Sequence, residues 1–173
     1  MKNRTYWLII AALCLVIGLG SGVLVYRHVH HGMTPYFAVE DGAGNIMDIR
    51  SLRGKPVIVN FWASWCGPCQ TEMPEFEEAY QEYGDDIVFM MVNLTDGLSD
   101  TRESADAVID EGGYTFPVYY DTTGEAAKAY GISAIPVTLF IDSHGKLVYQ
   151  KTGMMDAEEL QSWIDTLLIL ILD

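Results

Sequence analysis

The chain has 173 residues, and its formal net charge is −14 because 24 acidic residues outnumber 10 basic ones. This length suits one domain of ordinary size with a short appendage. Residues 1–30 hold three of the basic residues and no acidic residue, so the remaining 7 basic and 24 acidic residues give the rest of the chain a net charge of −17. Such an acidic body excludes nucleic acid and anionic lipid surfaces as its expected partners.

The first predicted element is an uncharged apolar segment at 6–26, which as a helix is long enough to cross the hydrocarbon core of a membrane. Lys2 and Arg4 precede this segment and only Arg27 follows it closely. The excess of positive charge places residues 1–5 in the cytoplasm and the body of the chain outside. A cleaved signal peptide is the alternative, because small residues near the end of the segment could host a cleavage site.

Residues 27–35 are predicted to form a linker, and the domain proper is expected at 36–173. The linker contains His28, His30 and His31, with no cysteine or carboxylate beside them. A metal site needs more ligands than these irregularly spaced histidines supply, so a polar collar explains them better. We expect no metal centre in this protein.

The rest of the chain alternates between predicted strands and predicted helices. Apolar β-branched runs bounded by turn residues mark the strands, and periodicity with capping residues marks the helices. The predicted elements are a hairpin of strands at 36–39 and 46–49, a strand at 57–61, a helix to about Tyr83, a strand at 87–93, a helix at 99–111, a strand at 116–120, a short helix at 125–130, a hairpin of strands at 137–141 and 147–150, and a last helix to about Leu170. This alternation predicts an α/β fold, with a mixed sheet flanked by helices on both faces.

The last helix carries two further predictions. Asp156 and Glu159 should form a reciprocal capping pair at its start. The run at 167–172 is more apolar than a surface helix needs, and we expect it to cap the core. Contact with a partner or with a membrane is the alternative for this run.

Cys66 and Cys69 form the most informative motif, because they lie between a predicted strand and a predicted helix. A thiol at a helix amino terminus meets unpaired N–H groups and the positive end of the helix dipole, which favour the reactive thiolate. A zinc site would need four ligands, and the third cysteine, Cys14, lies far away in the apolar segment. A purely structural disulfide over so short a loop would remove little chain entropy. The pair therefore predicts thiol–disulfide exchange.

The surroundings of this pair resemble a known family. The matching segments are Leu52–Val57, Phe61–Cys69, Gln70–Pro74 and Tyr130–Pro136. They are similar to the motifs of the membrane-anchored TlpA/ResA-type thiol–disulfide oxidoreductases of bacteria. The resemblance implies a thioredoxin fold, with an N-terminal hairpin and a helix–strand insertion at about 101–121.

The resemblance also implies roles for single residues. Cys66 is expected to attack a substrate disulfide, and Cys69 to resolve the mixed disulfide. Trp65 is expected to flank the cysteines, while Gly67 and Pro68 shape the first turn of the helix. Ile135 and Pro136 resemble the cis-proline loop that pairs with an extended substrate. Val137 stands where family members often have threonine, which leaves the shape of the substrate groove open.

Glu72 matches the active-site glutamate of this family, three residues after Cys69. Soluble thioredoxins carry a buried aspartate where this chain has Asn60. If Glu72 is buried, its pKa should rise toward neutrality, so that it can accept and return a proton. A solvated surface charge is the alternative.

These features together predict a thiol–disulfide oxidoreductase on the outer side of a bacterial cell membrane. The resemblance implies reduction of oxidised envelope proteins, apocytochrome c among them, with electrons from a CcdA/DsbD-like membrane protein. No Gly-x-Gly-x-x-Gly motif is present, so no nicotinamide or flavin cofactor is expected. We expect a single-pass monomer. A dithiol oxidase and a non-catalytic binding or assembly module are the alternatives.

Overall fold

The structure, a computed structural model, describes residues 34–171. This part of the chain forms seven strands and four helices in the predicted order. The strands are β1 (Ala38–Asp41), β2 (Ile46–Asp48), β3 (Val57–Trp62), β4 (Val88–Asn93), β5 (Val118–Tyr120), β6 (Val137–Ile141) and β7 (Leu147–Thr152). The helices are α1 (Gly67–Tyr83), α2 (Arg102–Gly112), α3 (Glu125–Ala129) and α4 (Ala157–Ile169). A 3₁₀ turn at Ile49–Leu52 joins β2 to the loop before β3.

All seven strands belong to one mixed sheet with the order β2-β1-β5-β4-β3-β6-β7. The central strand β3 pairs in parallel with β4 and antiparallel with β6. Every residue of β3 is buried, as expected of a strand covered on both faces. The sheet confirms the predicted thioredoxin-like architecture of a mixed sheet flanked by helices.

Two apolar clusters cover the two faces of the sheet. Side chains alternate along β3, so Ile58 packs in the cluster beneath α1 and α4, whereas Val59 belongs to the opposite cluster. That opposite cluster also contains Ala126 of α3 and Ile49 of the 3₁₀ turn. Helical elements therefore lie on both faces, and both clusters fix the position of β3.

The predicted insertion corresponds to α2 and β5, which stand between β4 and α3. The helix begins later than predicted, because Thr101 caps α2 by accepting a hydrogen bond from the N–H of Ser104. It ends where predicted, at Gly113, whose φ of 66° lies in the left-handed region that favours glycine. Through β5 the insertion joins the hairpin of β1 and β2 to the central strands.

The predictions for α4 are confirmed in part. Asp156 accepts a hydrogen bond from the N–H of Glu159 at 2.9 Å, but the Glu159 carboxylate bonds to Lys151 instead of returning to the cap. The predicted reciprocal pair is therefore only half formed. Leu167 is fully buried, whereas Ile169 is 62% exposed. The apolar end of α4 therefore packs against the core on one side only.

The start of the described chain and the cysteine pair lie at opposite ends of the sheet. Thr34 donates a hydrogen bond to the carbonyl of Gly145, in the turn between β6 and β7. The register pairs Val57 with Ile141 at this end and Phe61 with Val137 at the other. The anchor at 6–26 and residues 27–33 of the linker, including its three histidines, lie outside the described residues. Within residues 34–171, no helix is both long enough and apolar enough to span a bilayer.

Candidate active site

The two cysteines occupy the amino end of α1. After β3 ends at Trp62, a short loop leads to Cys66, which is the N-cap residue of the helix. Cys66 and Cys69 are joined by a disulfide bond, and the Cys66 Sγ accepts a hydrogen bond from the N–H of Cys69 at 3.2 Å. Gly67 and Pro68 form the first helical positions, where a proline costs no hydrogen bond. This placement stabilises negative charge on the Cys66 sulfur when the disulfide opens.

Access to the disulfide is narrower than the sequence suggests. Cys66 was expected at an exposed helix end, but in the disulfide form it is only 4% exposed, and Cys69 is 1% exposed. The Cys66 sulfur lies against the first helical turn, where the Cys69 N–H donates to it. Trp65, which is 61% exposed, and the exposed Gly67 and Pro68 are the chain neighbours of Cys66.

Glu72 lies on the same side of α1 as Cys69, one turn further along the helix. It is 1% exposed, and its carboxylate accepts hydrogen bonds from Asn60 Nδ2 at 2.7 Å and from the Met155 N–H at 2.8 Å. Burial raises the pKa of Glu72 from 4.5 to about 7, against the lowering effect of these two hydrogen bonds. The group can therefore exchange a proton near neutral pH.

Asn60 has a role that the sequence did not reveal. The sequence marked it only as a departure from soluble thioredoxins, yet its amide also donates to Thr138 Oγ1 at 3.1 Å. One buried amide thus ties the central strand both to β6 and to Glu72. The signal available in the sequence was a polar residue inside an otherwise apolar run, six residues before Cys66.

The loop before β6 reaches the same end of the sheet. The Ile135–Pro136 peptide bond is cis, as the family resemblance implied. Pro136 is buried, and its carbonyl accepts a hydrogen bond from Gly153, whereas Ile135 is half-buried. Within residues 34–171 we find no hydrogen bond to the backbone of Ala134 or Ile135. These peptide groups remain free to pair with an extended polypeptide.

Asp100 is a buried carboxylate that the sequence analysis missed. It accepts hydrogen bonds from the N–H and Oγ of Ser64, both at 2.6 Å, from Asn93 Nδ2 at 2.9 Å and from Ser104 Oγ at 2.7 Å. Burial alone would raise the pKa of Asp100, but these hydrogen bonds outweigh burial and hold the pKa below its usual range. Asp100 therefore fixes the loop that carries Trp65 and Cys66.

The structure also bears on whether the chain could bind a metal ion. Between residues 34 and 171, no group of three histidine, cysteine, aspartate or glutamate side chains is arranged to hold a metal ion. His144 is exposed in the turn between β6 and β7, at the opposite end of the sheet from the disulfide.

Comparison with known proteins gives consistent likenesses. The AhpC/TSA family profile matches residues 32–150. The chain is 28% identical over 173 residues to the thiol-disulfide oxidoreductase ResA of Halalkalibacterium halodurans, with 95% of this chain and 96% of that protein covered. It is 32% identical over 130 residues to ResA of Bacillus thuringiensis subsp. konkukian, with coverage of 75% and 73%. The crystal structure of StoA from Bacillus subtilis matches with a TM-score of 0.66 at 30% identity, over 77% of this chain and 98% of that one.

Proposed function

The chain belongs to the AhpC/TSA family and, within it, to the ResA-type thiol–disulfide oxidoreductases, and from this premise we propose that it reduces disulfides in proteins of the cell envelope. The observation that carries the proposal is a dithiol at a helix amino end with a buried carboxyl of pKa about 7 on the same helix face. A buried proton acceptor suits the resolving thiol, which must lose its proton before it can attack.

Reduction begins from the dithiol form. The Cys66 thiolate attacks one sulfur of the substrate disulfide, and the other substrate sulfur leaves as a thiolate. Cys66 is then joined to the substrate in a mixed disulfide. The helix amino end lowers the free energy of the Cys66 thiolate before attack.

Resolution follows on the inner side of the same helix. Glu72 takes the proton of the Cys69 thiol, and the Cys69 sulfur attacks Cys66. The substrate leaves with both of its sulfurs reduced, and the two electrons it gained are those lost as the Cys66–Cys69 disulfide forms. When the disulfide is reduced again, the proton returns from Glu72 to Cys69.

The finer parts of the proposal concern partners and location. The substrates include the cysteines of apocytochrome c before haem attachment, and the electrons come from a CcdA/DsbD-like protein in the membrane. The segment at 6–26 anchors the chain, with the catalytic domain on the outer side of the bacterial cell membrane. The uncharged sequence of that segment supports the anchor, and the ResA relatives support the redox role.

The reduction potential of the Cys66–Cys69 pair tests the direction of the reaction. The full chain is equilibrated with thiol buffers of known potential, and the fraction of free thiol is measured. We expect a value near that of thioredoxin, about −270 mV. A value near about −120 mV is that of a strong oxidant and would make the protein a dithiol oxidase. A pair that does not exchange would point to a binding module.

A further inference from the structure

A groove crosses the exposed face of Trp65. One part has a volume of about 380 Å³ and runs along Ser133–Ile135, just before the cis-proline. The other part has a volume of about 410 Å³ and lies between the loop after β4 and the start of α3. Trp65 and Leu94 line both parts, so the two parts adjoin at these side chains, of which Trp65 directly precedes Cys66.

The two parts of the groove differ in charge. No ionisable side chain lines the part beside the cis-proline. Asp96 and Asp121 line the other part, and among residues 34–171 no lysine or arginine lines either part. Asp121 is buried and directs its carboxylate to the N–H groups of Ala126 and Ala127, which leaves Asp96 as the exposed carboxylate.

The loop itself keeps Asp96 negatively charged. Its Oδ1 accepts hydrogen bonds from the N–H groups of Leu98, Ser99 and Asp100, at 2.8, 2.6 and 3.0 Å. These bonds, the one from Asp100 first, lower the pKa of Asp96 to about 2. The three N–H groups therefore favour the ionised form of the carboxylate and hold it within the loop.

We propose that the groove between Trp65 and Asp96 is a specificity subsite for a lysine or arginine side chain that flanks the reactive cysteine of the substrate polypeptide. The long side chain packs its methylene groups on Trp65 and Leu94 and directs its charged end to Asp96. A cation over an indole face gains further attraction from the ring. This inference rests on the proposed function and names the class of substrate sequence that the site prefers.

Charge complementarity argues for this occupant over others. An acidic side chain would meet Asp96 and a domain that carries 7 basic and 23 acidic residues between positions 34 and 171, a net charge of −16. An apolar side chain would remove water from the charged Asp96 carboxylate without supplying a positive charge in its place. A basic side chain satisfies both the aromatic wall and the carboxylate.

The test compares peptide substrates that differ only in charge. Each short peptide contains one cysteine in a mixed disulfide with 2-mercaptoethanol, flanked on both sides by arginine, glutamine or glutamate. The reduced full chain is mixed with each peptide at low ionic strength, and the second-order rate constant for thiol release in a single turnover is measured. We expect the arginine peptide to be reduced about 10-fold faster than the glutamate peptide, with glutamine between them.

Two matched variants locate the source of the preference. Asp96→Asn keeps an acceptor oxygen for the loop N–H groups but removes the charge, and it should bring the arginine-to-glutamate ratio close to one. Asp110→Asn makes the same charge change on the exposed side of α2, away from the groove, and should keep the ratio. An equal loss in both variants would mean general electrostatic steering and would overturn the subsite.

The small disulfide of 2-mercaptoethanol separates this inference from the proposed function. If the wild-type chain reduces it, but reduces the arginine and glutamate peptides at equal rates, the subsite is refuted and the reductase remains. If the chain reduces neither the small disulfide nor any peptide, the proposed function fails, and the subsite fails with it.

Discussion

The charged and neutral forms of Glu72 are close in free energy at neutral pH. Burial disfavours the carboxylate, while Asn60 and the Met155 N–H stabilise it, and the balance leaves a pKa of about 7. A carboxyl with an ordinary pKa of 4.5 would be too weak a base to accept the proton of a thiol. The environment of this one residue therefore carries much of the proposed mechanism.

Replacing Glu72 by glutamine should slow the resolution of the mixed disulfide. We expect Glu72→Gln to reduce the rate of substrate release by about 10²-fold at neutral pH, since a general base of this kind contributes at least that much. Substrate release is measured by rapidly mixing the reduced protein with a disulfide substrate and detecting the thiol that is released. Glu78→Gln, an exposed residue of the same helix, is the control and should behave as the wild type. Unchanged release in Glu72→Gln would remove Glu72 from the mechanism.

The raised pKa of Glu72 predicts that the stability of the protein depends on pH. Because its pKa is raised on folding from 4.5 to about 7, the folded state holds the proton more tightly than the unfolded state. The contribution of Glu72 to the free energy of unfolding should therefore be greatest below pH 4.5 and fall by about 3 kcal/mol as the pH rises through 7. Urea unfolding of the oxidised wild type and of Glu72→Gln at several pH values measures this component. Parallel pH profiles for the two proteins would contradict it.

At the scale of elements, Glu77 of α1 connects this helix to the insertion formed by α2 and β5. Its carboxylate accepts hydrogen bonds from the N–H groups of Thr115 and Phe116, at 2.8 and 3.1 Å, and from Thr115 Oγ1 at 2.6 Å. Burial acts to raise the pKa of Glu77, but the hydrogen bonds outweigh it and lower the pKa. The ionised carboxylate thus fixes the segment that leads into β5 against α1.

Glu77→Gln should weaken this connection. We expect the free energy of unfolding to fall by about 1–2 kcal/mol at neutral pH, because a charged acceptor of several hydrogen bonds is replaced by a neutral one. A lowered pKa contributes stability above the unfolded value of 4.5, and this contribution is lost as the pH falls through the folded pKa. The difference between variant and wild type should therefore shrink at about pH 3. A difference that persists there would assign the effect to packing.

The secondary-structure elements could be predicted from the sequence, whereas the long-range contacts of the site could not. The strands and helices were predictable because each leaves a local pattern, such as the apolar run of β3 and the glycine that ends α2. The hydrogen bonds to Glu72 could not be predicted, because the two groups that donate them lie 12 and 83 residues away along the chain. Asp100 was missed for the same reason, since it joins Ser64 to side chains from two other elements. Position along the chain predicts which groups can react, while long-range packing decides their protonation.

At the scale of the whole molecule, the segment at 6–26 predicts where the protein resides. We expect the full chain to sediment with bacterial membranes and to resist extraction at alkaline pH, because an apolar helix of this length remains in the bilayer. A chain without residues 1–26 should be found in the soluble fraction. Protease added to the outer side of intact cells or spheroplasts should degrade the domain. A mature chain that begins after the segment would instead identify a cleaved signal peptide.

The near-complete burial of Cys69 has a consequence for turnover. We expect electrons to enter and leave through the sulfur of Cys66, because Cys69 is 1% exposed and Cys66 is 4% exposed at the start of α1. On the proposed function, the electron donor and the oxidised substrate should therefore occupy the same surface one after the other. Steady-state kinetics should follow a double-displacement pattern, with parallel lines in double-reciprocal plots. Each reactant, in excess, should act as a competitive inhibitor of the other.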